Sequence, residues 1–87
     1  MNSFYSLING FIDYLRFEKL LSINTILSYK KDLGIFCEFL SSKSIDDFGT
    51  LEYQDILSFL EYLYKRNYND TTVSRILSTL RNFYKYL

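Results

Sequence analysis

The amino-acid sequence predicts an all-α domain, a compact bundle of four helices. Three observations carry this. Apolar residues recur at helical spacing in four successive stretches, no useful length alternates apolar with polar as a strand does, and none of the 87 residues is proline.

The first helix is read from Phe4, Leu7, Ile8, Phe11, Ile12 and Leu15, with Ser3 as its cap and an end near Lys19. After a link from Leu20 to Ile23, Asn24 and Thr25 look like the cap of a second helix. Its buried stripe is Ile26, Tyr29, Leu33, Phe36, Cys37 and Leu40, and it ends near Ser42. The Ser-, Asp-, Gly- and Thr-bearing stretch from Lys43 to Leu51 favours turns, with Ile45 and Phe48 expected to tuck onto the core. A third helix, about Glu52 to Arg66, turns Tyr53, Ile56, Leu57, Phe59, Leu60, Leu63 and Tyr64 inward. Asn67 to Asp70 breaks it. Asp70 or Thr71 caps a fourth helix, whose stripe runs Val73, Ile76, Leu77, Leu80, Phe83, Tyr84 and Leu87. Short links make successive helices neighbours, antiparallel or crossing.

Composition bounds the function. A single domain of this size needs a dense core, and 48% hydrophobic residues, with eight Phe and nine Tyr, can supply one. One cysteine, Cys37, and no histidine leave neither an internal disulfide nor a usual zinc set, which points to a reducing cytoplasm and no bound metal. No apolar run approaches the roughly 18 residues of a membrane span, and the start lacks the early positive charges of a signal peptide. Leu87 lies on the apolar stripe of the last helix without a cap after it, so the expectation is a piece of a longer protein.

Catalytic constellations are not found. A nucleophilic triad lacks its histidine base. Neither GxGxxG nor GxxxxGK occurs, so no phosphate loop or cofactor site is expected. Asp46 and Asp47 read as loop-solubilising residues, and the tyrosines as amphipathic core and rim.

Charge is more informative. Residues 1–64 hold five basic and nine acidic side chains, a net of −4; residues 65–87 hold five basic and one acidic, a net of +4. A basic end on a neutral chain suggests a polyanion-facing surface, although on charge alone a solvated helix face is the simpler account. The polar face of the fourth helix carries Thr71, Thr72, Ser74, Arg75, Ser78, Thr79, Arg81, Asn82 and Lys85, with no acidic residue among them. Positions 74, 78, 81 and 85 form one ridge, and 71, 75, 78 and 82 the next. Hydroxyls allow close approach to a phosphate backbone, and Arg bonds phosphate or guanine edges. Asn24, Thr25, Ser28 and Lys31, with Lys30 adjacent, make a weaker strip on the second helix.

These residues also carry a resemblance. Phe11-Ile12-Asp13-Tyr14-Leu15, Glu18-Lys19, Asn24-Thr25-Ile26 and Tyr29-Lys30-Lys31-Asp32-Leu33 are similar to the pattern F-x-x-Y-L…E-K-x-L-S-x-N-T-x-x-x-Y-x-x-D-L-x-x-F. The run from Thr72 to Leu87 resembles T-V-S-R-x-L-S-x-L-R-x-F-Y-x-Y-L, and Glu52-Tyr53-Gln54-Asp55-Ile56 resembles the usual start of the third helix. The pattern is that of the N-terminal core-binding domain of tyrosine recombinases and phage integrases, of the Xer type (XerC/XerD-like), and it covers essentially the whole chain.

The resemblance implies a SAM-like orthogonal four-helix bundle over residues 1–87. It implies that the second and fourth helices lie on the major groove of double-stranded DNA. It also implies that the catalytic residues belong to a domain outside this sequence, and that the domain clamps a recombination site for strand cleavage and rejoining. The expected partners are DNA, that catalytic domain and other protomers in a synaptic complex, with no membrane and no cofactor. The DNA-facing positions it assigns are Thr25, Ser28, Lys30, Lys31, Thr72, Ser74, Arg75, Ser78 and Arg81. It reads Tyr29, Leu33, Leu77, Leu80 and Phe83 as core. The alternative is a helical protein–protein interaction module presenting Phe17, Tyr62, Tyr68 and Tyr86 to a partner.

Overall fold

Four helices follow one another along the chain: α1 (Asn2–Phe17), α2 (Ile23–Ser42), α3 (Tyr53–Lys65) and α4 (Asp70–Tyr86), with a short 3-10 turn at Phe48–Thr50 before α3. The structure, a computed structural model, describes residues 2–45 and 48–87 and the side chains of 4–45 and 49–87. The Asp46–Asp47 pair falls outside the described residues, as do the side chains of Ser3 and Phe48; α1 begins at Asn2, so Ser3 lies within the helix rather than before it. No strand occurs among the described residues.

α2 and α4 each pack against all three other helices, so together they form the spine of the bundle. Buried aromatic rings fill both sides of it. Phe11 of α1 meets Phe83 of α4 at 5.3 Å and Tyr29 of α2 at 5.7 Å, both edge-on. At the other end Phe59 of α3 sits 5.1 Å from both Phe36 and Phe39 of α2. Edge-to-face pairs of this kind contribute about 0.5–1.5 kcal/mol each beyond the area they bury. Gly10 allows close approach of α1 to α4, because a Cβ there would stand 3.0 Å from the Tyr86 hydroxyl.

The inward stripe expected for α3 is only partly buried. Phe59 and Leu63 are fully enclosed, but Tyr53, Leu57 and Tyr64 are exposed, Tyr53 by 76%. These three lie about 100° round the helix from Leu63. α3 packs toward α2 and α4 on one side only, so its apolar arc is wider than the surface it can cover. Leu7 of α1 is likewise exposed. Two helix starts also differ from expectation. α2 is capped by Ser22 and α4 by Asn69, earlier than Asn24–Thr25 and Asp70–Thr71. A cap needs an extended backbone with its oxygen turned to a free N–H. Ser22 (ψ 157°) and Asn69 (ψ 171°) are the residues that meet this.

Helix ends depend on three residues other than glycine in left-handed backbone: Leu20 (φ 54°), Ser44 (φ 58°) and Asn67 (φ 67°). After α2, Ile45 N–H donates to the Leu40 carbonyl at 2.9 Å and Ser44 N–H to Ser41 at 3.1 Å. After α3, Tyr68 N–H donates to Leu63 at 3.3 Å and Asn67 N–H to Tyr64 at 3.0 Å. This is the Schellman pattern, in which the next apolar residue folds back on the helix. Ile45 and Tyr68 do so, half-buried against the core.

The left-handed positions make a stability prediction. Ser44→Gly relieves the Cβ penalty and raises unfolding free energy by about 1 kcal/mol net, and Asn67→Gly by less, because Asn tolerates this conformation. Urea denaturation checks the order; equal or reversed effects would contradict it. A second prediction concerns Cys37, whose thiol burial pushes up to about 11. A raised thiol pKa favours the protonated native state. Stability is therefore insensitive to this group below the unfolded pKa of about 8.5 and falls as pH rises beyond it. Iodoacetamide at about pH 8 should label Cys37 slowly in the folded domain and rapidly in urea; equal rates would show the thiol is not protected.

Candidate nucleic-acid interface

Two caps set the start of the polar faces. The Ser22 hydroxyl oxygen accepts from the Thr25 N–H (3.3 Å), and the Asn69 side-chain oxygen accepts from the Thr72 N–H (2.8 Å). Thr25 and Thr72 are thus equivalent third positions of α2 and α4.

About two turns further along α2, the two helices are joined through a carboxylate. Asp32 of α2 is fully buried and takes three hydrogen bonds from α4. Arg75 Nη2 donates to Oδ1 at 2.7 Å, Arg75 Nε to Oδ2 at 3.2 Å, and the Thr79 hydroxyl to Oδ2 at 2.8 Å. Burying an isolated carboxylate costs several kcal/mol, so the pair is tolerated only because charge-assisted donors satisfy it. No buried side-chain oxygen or nitrogen among the described residues lacks a partner. The hydrogen bond to Asp32 holds the Arg75 guanidinium above its already high ordinary pKa, although the Arg75 side chain remains 45% exposed.

This corrects two expectations. Thr79 is buried rather than part of the solvent-facing strip, and the strip on α4 has an acidic neighbour after all, supplied by α2. Asp32 escaped notice as a site residue. Its signal was position: it is three residues after Tyr29 and four before Phe36, on the apolar stripe, where a charge needs a partner.

Above Asp32 and Thr79 lies a groove between the helices, walled by Thr25, Ser28 and Tyr29 on α2 and by Arg75 and Ser78 on α4. Four of the nine expected positions, Thr25, Ser28, Arg75 and Ser78, are therefore brought together. The Asn82 amide donates to the Tyr29 hydroxyl at 2.9 Å across the seam. Beyond that bond lies a second hollow, which shares Tyr29 with the first and where Lys19 of the α1–α2 link and Lys85 of α4 meet Tyr14, Leu21 and Tyr86. Ser74 and Arg81 are exposed and lie beside Ser78 on the outer face of α4; Thr72 is half-buried at its first turn. Lys30 and Lys31 are exposed but do not line the groove. Lys31 borders a separate hollow with Tyr5, Gly34 and Glu38, and Lys30 falls about 200° round the helix from Asp32. Lys19 was missed because its loop, bent at Leu20, carries it to the end of α4 only in three dimensions.

Among the described residues no three His, Cys, Asp or Glu side chains gather as metal ligands, and no helix is long and apolar enough to cross a membrane.

Residues 8–87 match the family model for the phage integrase N-terminal SAM-like domain. The chain belongs to that family. It is 39% identical over 87 residues to a tyrosine recombinase XerC of Oceanobacillus iheyensis, covering 100% of this chain and 28% of that protein. It is 41% identical over 80 residues to the XerC of Halalkalibacterium halodurans (92% of this chain, 26% of that one). With the XerC of Staphylococcus haemolyticus the identity is 43% over 76 residues, 87% of this chain and 25% of that one. The SAM-like domain thus spans about a quarter of the length of the curated relatives it matches. No solved structure matches it.

The Asp32–Arg75 link predicts asymmetric mutational costs in this domain. Arg75→Ala strands a buried carboxylate and lowers unfolding stability by about 3 kcal/mol, whereas the apolar pair Asp32→Leu with Arg75→Met restores most of the loss. Chemical denaturation of the three variants checks this; a double variant as unstable as the single would refute the coupling.

Proposed function

We propose that this SAM-like domain is the DNA-binding N-terminal part of a site-specific tyrosine recombinase. In this reading it lays the α2–α4 seam along duplex DNA, while a catalytic domain outside these 87 residues cleaves and rejoins the strands. The relatives' name supports the class of reaction. The observation that carries the DNA-binding reading is the seam itself. Hydroxyls of Thr25, Ser28 and Ser78 and the Arg75 cation line one hollow, Lys85 and Lys19 line the adjoining one across Tyr29, and the one carboxylate lining either is buried and paired. Ser74 and Arg81 extend this face along α4; Thr72 adds to it at the helix start. Lys30 and Lys31 would contribute only if DNA wraps past the groove. The free thiol suits a reducing cytoplasm. Other protomers of a synaptic complex are further partners in this reading.

Phosphate contacts release counterions from DNA, so affinity should fall steeply with salt, by about 0.9 in the log–log slope for each phosphate neutralised. Arg81→Ala with Lys85→Ala should weaken binding of a fluorescein-labelled duplex and make that slope shallower by about 1.8. A control pair away from the seam, Lys43→Ala with Lys65→Ala, should change neither. Unchanged binding by the seam variant in fluorescence anisotropy would overturn the reading. One observation favours protein contact as a second role: Tyr53, Leu57 and Tyr64 leave an exposed apolar stripe on α3, which supplies no residue to the groove.

A further inference from the structure

Arg75 is not electrostatically equivalent to the other cations of this face, Lys85 and Lys19 in the second hollow and Arg81 beside it on α4. Arg81, Lys85 and Lys19 make no ion pair among the described residues, whereas Arg75 is held by Asp32 at 2.7 Å. At moderate salt the Debye length is about 10 Å. Over that distance an ion pair so close presents a dipole rather than a net charge. The pair also fixes the guanidinium plane. A guanidinium has five N–H donors, of which Asp32 takes one on Nε and one on Nη2. The remaining three belong to a half-exposed group at the groove wall, beside Ser28 and Ser78. Thr79 locks the carboxylate from below, so the fork cannot swing without stranding a fully buried charge.

We infer that Asp32 is an internal counter-ion and positioning residue: it converts Arg75 from a mobile cation into an oriented, charge-compensated hydrogen-bond donor for the DNA in the groove. This rests on the DNA-binding reading above and deepens it. Arg75 then contributes affinity through directed hydrogen bonds, while the salt dependence is carried by Arg81, Lys85 and Lys19. A purely structural Asp32–Arg75 bond would influence folding and leave duplex affinity untouched once the fold is kept.

Duplex binding measured by anisotropy between about 50 and 200 mM salt separates these. Asp32→Asn with Arg75→Gln keeps the shapes and leaves no charge buried, so it tests the idea in a folded domain, checked by circular dichroism. It should bind about tenfold more weakly at every salt concentration, the loss of a charge-assisted hydrogen bond. Its log–log slope should match that of the unsubstituted domain. Arg81→Gln, the reference for one uncompensated cation, should make the slope shallower by about 0.9. Asp32→Asn alone frees the Arg75 charge and should steepen the slope by about 0.9. The inference is overturned if the double variant flattens the slope as Arg81→Gln does, or if it binds as tightly as the unsubstituted domain. An unsubstituted domain that binds no duplex would overturn the underlying reading as well, so the two failures are distinguishable.

Discussion

A buried carboxylate that must be satisfied from a neighbouring helix sets the arrangement of this domain. Asp32 lies within the core stripe of α2, and its three hydrogen bonds all come from donors on α4. Apolar packing is tolerant of small rotations, because many rotamer combinations fill similar volumes. A carboxylate with three directed donors is less tolerant: a shift of one helical position would leave it without partners. The ion pair thus specifies the register between α2 and α4, and α2 and α4 are the two helices that touch every other.

From that register the seam follows. Because Arg75 and Thr79 must face Asp32, Ser78 is brought opposite Ser28, and Asn82 opposite Tyr29. The aromatic clusters on either side stabilise the spine without dictating the surface. Phe11, Phe83 and Tyr86 pin α1 to α4; Phe36, Phe39 and Phe59 pin α3 to α2. The turns between helices contribute in their own way. Left-handed Ser44 and Asn67 reverse the chain within two residues, so each helix end is closed by backbone bonds and an apolar residue folds back at once.

The polar surface divides accordingly. On α4, the ridge from Ser74 through Ser78 to Lys85 faces away from the core by its spacing alone. On α2, the two lysines do not line the seam, and the contribution to it is two hydroxyls and a tyrosine. Much of the positive charge there comes from α4 and from Lys19 in the link after α1, which makes the seam less symmetric between the two helices than their similar polar strips suggest.

Helical periodicity, the absence of proline and the breaks near residues 20, 43 and 67 were enough to determine four helices and most of the core, since the 3.6-residue repeat is a property of each segment by itself. Buried Ile35 and Phe39 lay outside the expected stripe of α2, and Leu87 at the end of the α4 stripe is exposed. The family pattern, from Phe11 to Leu33 and from Thr72 to Leu87, was legible for the same reason: it is written in order along the chain. Tertiary structure decided what depends on distances between segments. It decided that Asp32 pairs with Arg75 forty-three residues later, that Lys19 joins Lys85, that Thr79 is buried, and that Tyr53, Leu57 and Tyr64 remain uncovered. A helix's own sequence shows which side is apolar, but how much of that side is buried depends on the neighbours that pack against it.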